Sequence, residues 1–121
     1  MTVFSTSTSP VFIPVTPWIE AADAQYARIA WEIAALNGNL EVTPAWQVAD
    51  SEDSPGASNA LDNSQTGIDV YYPNGWKTLI TDGTAPTESN MLVRFGWICT
   101  LSSGSDLATA AVAGVVEYQG R

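Results

Sequence analysis

The sequence predicts an all-β fold, a single antiparallel β-sandwich of jelly-roll type, on three observations. Apolar and polar residues alternate with a period of two along Leu40-Glu41-Val42-Thr43-Pro44-Ala45-Trp46-Gln47-Val48. Two further apolar runs, residues 91–101 and 107–118, are strand-like and joined by the turn-rich Ser102-Ser103-Gly104-Ser105-Asp106. Short strands broken by Gly, Pro and Asn recur along the whole chain, which is the pattern of a sandwich or jelly roll. The 121 residues suffice for one domain with its own core.

The elements follow in order. Residues 1–17 contain Pro10, Pro14 and Pro17, which exclude a helix interior and limit pairing in a central strand. Val3, Phe4, Val11, Phe12, Ile13 and Val15 are interleaved with Ser and Thr. Such a segment is either an arm that lies on another surface or an edge strand of its own domain. The division adopted is an extended N-terminal arm over 1–17 and a sandwich body over 18–121.

Residues 18–36 fit two patterns. As a helix, Thr16 would cap, Pro17 would open the first turn and Gly38 would follow the end, with Ile19, Ala22, Tyr26, Ile29, Ile33 and Leu36 as the apolar stripe. As a strand, Ala27, Ile29, Trp31, Ile33 and Ala35 share one face, with Arg28 and Glu32 on the other. Asn37-Gly38-Asn39 has hairpin chemistry and leads into the alternating 40–48 run. A hairpin accounts for both halves, so a strand is adopted from about Ala24, with a short helical turn in 17–23. Helix or strand stays open for 18–27.

Residues 50–66 read as a long polar loop, 68–72 as a strand, Pro73-Asn74-Gly75 as a turn, 76–81 as a strand and 82–90 as a loop. In the last strand Ala108, Ala110, Val112, Gly114, Val116 and Tyr118 share one face.

Charge and composition exclude several functions. Thirteen acidic residues against four basic ones leave a net charge of −9. Nucleic-acid affinity rests on Lys and Arg neutralising phosphates, so neither nucleic acid nor an anionic membrane surface is an expected partner. Only 14% of residues are charged, against roughly 25% in typical soluble domains. A surface so short of charge is covered by small polar residues or by another protein.

The first ten residues lack the basic and apolar regions of a secretory signal, and no run of apolar residues is long enough to span a bilayer. The chain is therefore expected to be made in the cytoplasm without a secretion route of its own.

The chain has no histidine, no Gly-rich phosphate loop and one cysteine. Ser-His and Cys-His nucleophile systems and paired-cysteine zinc sites are thereby excluded. Carboxylate pairs could serve glycoside hydrolysis, but thirteen acids form such pairs by chance. No catalytic, cofactor or metal residues are expected, and the protein is read as a non-enzyme. The cluster Asp50, Glu52, Asp53 and Asp62 lacks the regular spacing of a calcium loop and reads as a solvated loop, with Ca²⁺ left open. Cys99, within Gly96-Trp97-Ile98-Cys99, reads as a small buried hydrophobe.

Of the five tryptophans, Trp31, Trp46 and Trp97 fall on apolar faces and are assigned to the core, whereas Trp18 and Trp76 adjoin turn residues and are expected at the surface. Exposed Trp18, Tyr71, Tyr72 and Trp76 would serve a protein interface or a sugar-stacking face. The low charge density and the apolar Phe4, Val11, Phe12, Ile13 and Val15 favour the interface.

The stretch Leu92-Val93-Arg94-Phe95-Gly96-Trp97, then Leu101-Ser102-Ser103-Gly104 and Ala108-Thr109-Ala110-Ala111-Val112, resembles the C-terminal hairpin of small virion structural proteins of tailed bacteriophages. An Arg-Phe-Gly strand, a Ser/Gly turn and an Ala/Val-rich strand recur there. The 40–48 strand and the loop after it fit the same pattern, while the Ala-rich 18–35 segment departs from it. The resemblance implies a capsid decoration (cement) protein on the outer surface of the shell, binding the major capsid protein or another virion protein and forming a homo-oligomer. It also implies no enzymatic residues and an arm, here 1–17, that reaches neighbouring subunits. A head–tail accessory protein and a carbohydrate-binding or adhesin module are the alternatives.

Overall fold

In the computed structural model, which describes residues 1–79, 91–102 and 106–120, the chain forms two antiparallel sheets packed face to face. The strands are β1 (Thr2–Ser5), β2 (Val11–Pro14), β3 (Ile19–Glu20), β4 (Tyr26–Asn37), β5 (Leu40–Ala49), β6 (Pro55–Ala60), β7 (Ile68–Tyr71), β8 (Lys77–Thr78), β9 (Leu92–Leu101) and β10 (Ala108–Gln119). A single 3-10 turn, Ala21–Asp23, stands where a short helical turn was expected. The strand assignment from about Ala24 holds, and β4 begins at Tyr26.

Sheet A runs β1-β10-β4-β7, with the short β8 also on β4; sheet B runs β2-β9-β5-β6, with β3 on β9. Without the two-residue strands β3 and β8, first pairs with last, second with next-to-last, and so inward. That nesting is the jelly roll, the fold class the alternation implied.

The pairing of neighbours differs from the expectation. β4 and β5 belong to opposite sheets, as do β9 and β10, so neither pair is a hairpin; of the turn expected between β9 and β10, residues 103–105 lie outside the described residues. Among the described residues no non-glycine has positive φ, so Asn37-Gly38-Asn39 does not make the type I′ turn that favours a two-stranded ribbon. Only Gly38, at φ +67°, supplies the left-handed corner. Alternation reports which face of a strand is buried, and a hairpin and a crossover share that signal.

Residues 1–17 are extended as expected, but they lie on their own sandwich rather than reaching out. β1 pairs with β10 through Thr2–Ala111 to Ser5–Ala108, and β2 pairs with β9 through Val11–Cys99 to Pro14–Gly96. Of the two readings of this segment, the structure takes the edge strand, once in each sheet. The expected polar loop at 50–66 contains β6, an edge strand on β5 with a register shift between Gln47 and Ala49. An exposed edge strand needs no apolar face, so its Pro-Gly-Ala-Ser-Asn-Ala sequence carried no strand signal. The expected strand at 76–81 is seen as β8, Lys77–Thr78, and residues 80–90, which hold the end of that strand and the expected loop, lie outside the described residues.

The core lies between the sheets. Ile29, Trp31 and Ile33 of β4 meet Val42 and Trp46 of β5 and Val93, Phe95, Trp97 and Cys99 of β9. β10 contributes the small Ala108, Ala110 and Val112, which leave room for the indoles. The indole N–H of Trp46 donates to the Leu79 carbonyl at 2.9 Å, and that of Trp31 to Asp62 Oδ2 at 3.0 Å. Both polar handles are thereby satisfied. Asn74 ties the turn after β7 to the core: its Oδ1 accepts from the Ile29 N–H and its Nδ2 donates to the Leu61 carbonyl.

Cys99 is fully buried, and burial pushes its thiol up to about 11. The unfolded thiol ionises near 9.0, so the folded state holds the proton across the interval between the two values. Stability is unaffected below that interval and falls as pH rises through it, by about 2 kcal/mol at pH 10.5. Urea unfolding of wild type and Cys99→Ala at pH 8 and pH 10.5 checks this. The wild type should lose more than the variant, and an equal loss in both would remove the thiol from the explanation.

Candidate functional site

The outer face of sheet A carries a group of exposed apolar residues. Alternation turns Ile68 and Val70 of β7, Ala30, Glu32, Ala34 and Leu36 of β4, Ala111, Ala113 and Val115 of β10, and Phe4 of β1 away from the core. Pairing sets them in rows across the sheet: Ile68–Ala34–Ala111–Thr2, then Val70–Glu32–Ala113, then Ala30–Val115. Tyr72 follows directly after β7. Ile68, Val70, Tyr72 and Val115 are 79%, 58%, 85% and 68% exposed. Large side chains stand at the margins and alanines fill the middle, which leaves two shallow depressions of about 330 and 470 Å³. Large contiguous apolar patches are a feature by which interaction surfaces of proteins are recognised.

Charge on this face is sparse. Glu32 stands in the middle and, among the described residues, has no ion-pair partner. At one end Arg28 pairs with Glu117 at 3.1 Å, and the Arg28 guanidinium lies over the Trp76 ring, 4.6 Å from its centroid.

The residues singled out from sequence are distributed over both sheets. Phe4 and Tyr72 are on the outer face of sheet A, with Trp76 at its Arg28 end. Val11, Phe12, Ile13, Val15 and Trp18 belong to the margin of sheet B. There Arg94 lies over both the Phe12 ring and the Trp18 ring, and its Nε donates to Gln47 Oε1 at 2.8 Å. Ile13 packs against the core.

Tyr71 is a correction: its ring faces inward, tilted on Trp31 with centroids 4.9 Å apart. Burial, with the nearby Asp69 and Asp62 carboxylates, raises its hydroxyl pKa. Its pairing with Trp31 dictates this, because a residue opposite an inward tryptophan is itself inward. Trp18, Tyr71, Tyr72 and Trp76 therefore do not assemble into one stacking platform. Trp31, Trp46 and Trp97 are buried as expected.

Ile68, Val70, Ala30, Ala34, Ala113 and Val115 of this face are not among the residues that stand out in the sequence. A usable signal lay in Ile68-Asp69-Val70, an edge segment whose apolar residues share the face opposite to its aspartate. In the acidic stretch, Asp62 is used internally: besides Trp31 it accepts from the Asn63 N–H at 2.8 Å. The fold class these features define is a jelly-roll sandwich with an apolar outer face. Comparison with protein-family models, with curated proteins and with solved structures finds no match to the chain.

Proposed function

We propose that this chain is a non-enzymatic virion structural protein, a capsid decoration (cement) protein that docks on the outside of the major capsid shell. The observation that carries the proposal is the outer face of sheet A, with its alanine centre, large apolar margins and a Glu32 that has no ion-pair partner among the described residues. Alanines let a partner surface approach the backbone closely, and Glu32 calls for a cation opposite it. The net charge of −9 suits the exterior of a DNA-filled shell better than contact with the genome. Binding only to the assembled shell stabilises that shell by mass action. The sequence resemblance in 91–118 points the same way.

The test is to band virions from the lysate in which the chain is made and count its copies per particle. Hundreds of copies support decoration. A few copies place the protein at the neck or tail, and absence from particles refutes the virion reading altogether. On isolated shells, Ile68→Lys combined with Tyr72→Lys should weaken binding by about two orders of magnitude, since each side chain forfeits roughly 1.5–3 kcal/mol of burial. Both residues are exposed, so the far-UV circular dichroism and the urea midpoint should not move. Undiminished binding would shift the docking surface away from sheet A.

A further inference from the structure

We infer that the unpaired edge of β10, residues 113–119, is where a second copy of this chain pairs, antiparallel and about a two-fold axis at Val116. β4 runs along one side of β10 as far as Gln119. On the other side β1 ends at the Thr2–Ala111 pair, closed by the Val112 N–H donating to the Met1 carbonyl and the Met1 amino group donating to the Val112 carbonyl. Beyond that point, among the described residues, no strand lies beside β10. By alternation the main-chain groups of Gly114, Val116 and Tyr118 point to the same side as those of Val112.

This edge differs from the other strand edges among the described residues. Exposed edges are ordinarily blunted by proline, lysine, a bulge or short length. β2 ends in Pro14, β6 begins at Pro55 and carries the register shift, and β1 and β7 have four residues each. Residues 113–119 read Ala-Gly-Val-Val-Glu-Tyr-Gln, without proline, lysine or register shift, and the one charge is taken up by Arg28.

The edge is complementary to itself in one register. With Val116 opposite Val116 of the second copy, Gly114 faces Tyr118, Val115 faces Glu117 and Ala113 faces Gln119. Each pair that faces the partner through its main chain exchanges two hydrogen bonds. Moving the axis to Glu117 sets two glutamates opposite one another, which is unfavourable. Moving it to Val115 sets the second strand against Val112, whose edge Met1 already occupies.

Side chains support the same register. Gly114 makes room for its own core, since a Cβ there would lie 3.2 Å from both Ile29 Cδ1 and Trp97 Cη2, and it lines an apolar cavity of about 210 Å³ between the sheets, with Phe95, Trp97, Val116 and Tyr118. Tyr118 stacks on Phe95 of its own chain, with ring centroids 5.7 Å apart, yet stays 46% exposed, and in this pairing its exposed side lies opposite the glycine of the other copy. The outer faces of the two A sheets then run on as one surface, whatever that surface docks on, so the inference does not depend on the virion proposal.

Sedimentation of the full chain from about 1 to 500 µM tests it, a range chosen because a small interface is a weak one. The mass should rise with concentration from 12.9 kDa to twice that. Val116→Pro removes an N–H that points to the free edge and leaves the β10–β4 ladder intact, so it should abolish the rise with an unchanged circular dichroism spectrum. Val116→Cys should cross-link under mild oxidation, because the two Cα atoms sit about 5.5 Å apart in such a pair, whereas Ala113→Cys should not. Cys99, being buried, stays out of the reaction. A wild type that is monomeric throughout, or a dimer in which the Val116→Cys variant fails to cross-link, would overturn the pairing.

Discussion

Trp31→Ala should lower the stability of the sandwich by about 3–5 kcal/mol, the range for truncating a large buried aromatic. Trp31 is 3% exposed and touches three parts of the fold at once. Its ring lies 4.9 Å from Tyr71 in the edge strand β7 and 5.6 Å from Trp97 in the opposite sheet, and its N–H holds Asp62. Removing it leaves a cavity between the sheets and strips Asp62 of a donor in a partly buried setting. A domain of this kind holds only about 5–15 kcal/mol in total, so the urea midpoint should fall by roughly 2–3 M. Trp31→Phe keeps most of the contact and loses the hydrogen bond, and should cost about 1–2 kcal/mol. Urea denaturation followed by circular dichroism reads both. A loss below about 1 kcal/mol for the alanine variant would show that the site repacks and that Trp31 does not join the layers.

Gly96→Ala should cost about 2–3 kcal/mol although it adds a single methyl group. A Cβ at residue 96 would overlap the Ile13 carbonyl oxygen and lie 2.9 Å from the Pro14 Cα, both backbone groups that cannot rotate away. The chain just after β2 is strapped across β9 there. The Val15 and Thr16 N–H groups both donate to the Phe95 carbonyl, and the Phe95 N–H donates to Thr16 Oγ1. The added methyl group should lift this strap and unpair β2 while the β5–β9 ladder persists. Hydrogen exchange should therefore rise in 11–16 and stay slow in 40–49. Gly75→Ala is the control, because nothing lies within 4 Å of a Cβ there. Equal stability of the two variants would mean that β2 yields at no cost and is not anchored through Gly96.

The strands themselves were largely legible in the sequence. The inward faces of β4 and β5 follow from alternation, since Ile29, Trp31, Ile33, Val42 and Trp46 are buried and Arg28 and Glu41 are not. β6 was not legible, because an exposed edge strand such as Pro55–Ala60 buries nothing and has no apolar pattern to show. The candidate site was half legible. Phe4 and Tyr72 stand out as apolar residues without a core position, but Ala30, Ala34, Ala111 and Ala113 look ordinary singly and acquire meaning only side by side.

By itself the sequence determined the all-β class, the position of most strands, the buried tryptophans and the buried cysteine. These follow from period-two alternation and from the cost of exposing or burying particular side chains, both local properties. The tertiary structure alone decided that β4 and β5 part into opposite sheets, that residues 1–17 close an edge of each, and that β7, β4 and β10 lie side by side to form one apolar face. Sheet order depends on pairing between segments far apart in the chain, such as Ala34 with Ile68 and with Ala111. Main-chain hydrogen bonds make that pairing, and they are the same for every sequence. What selects it is the closure of a common core, which no single segment encodes.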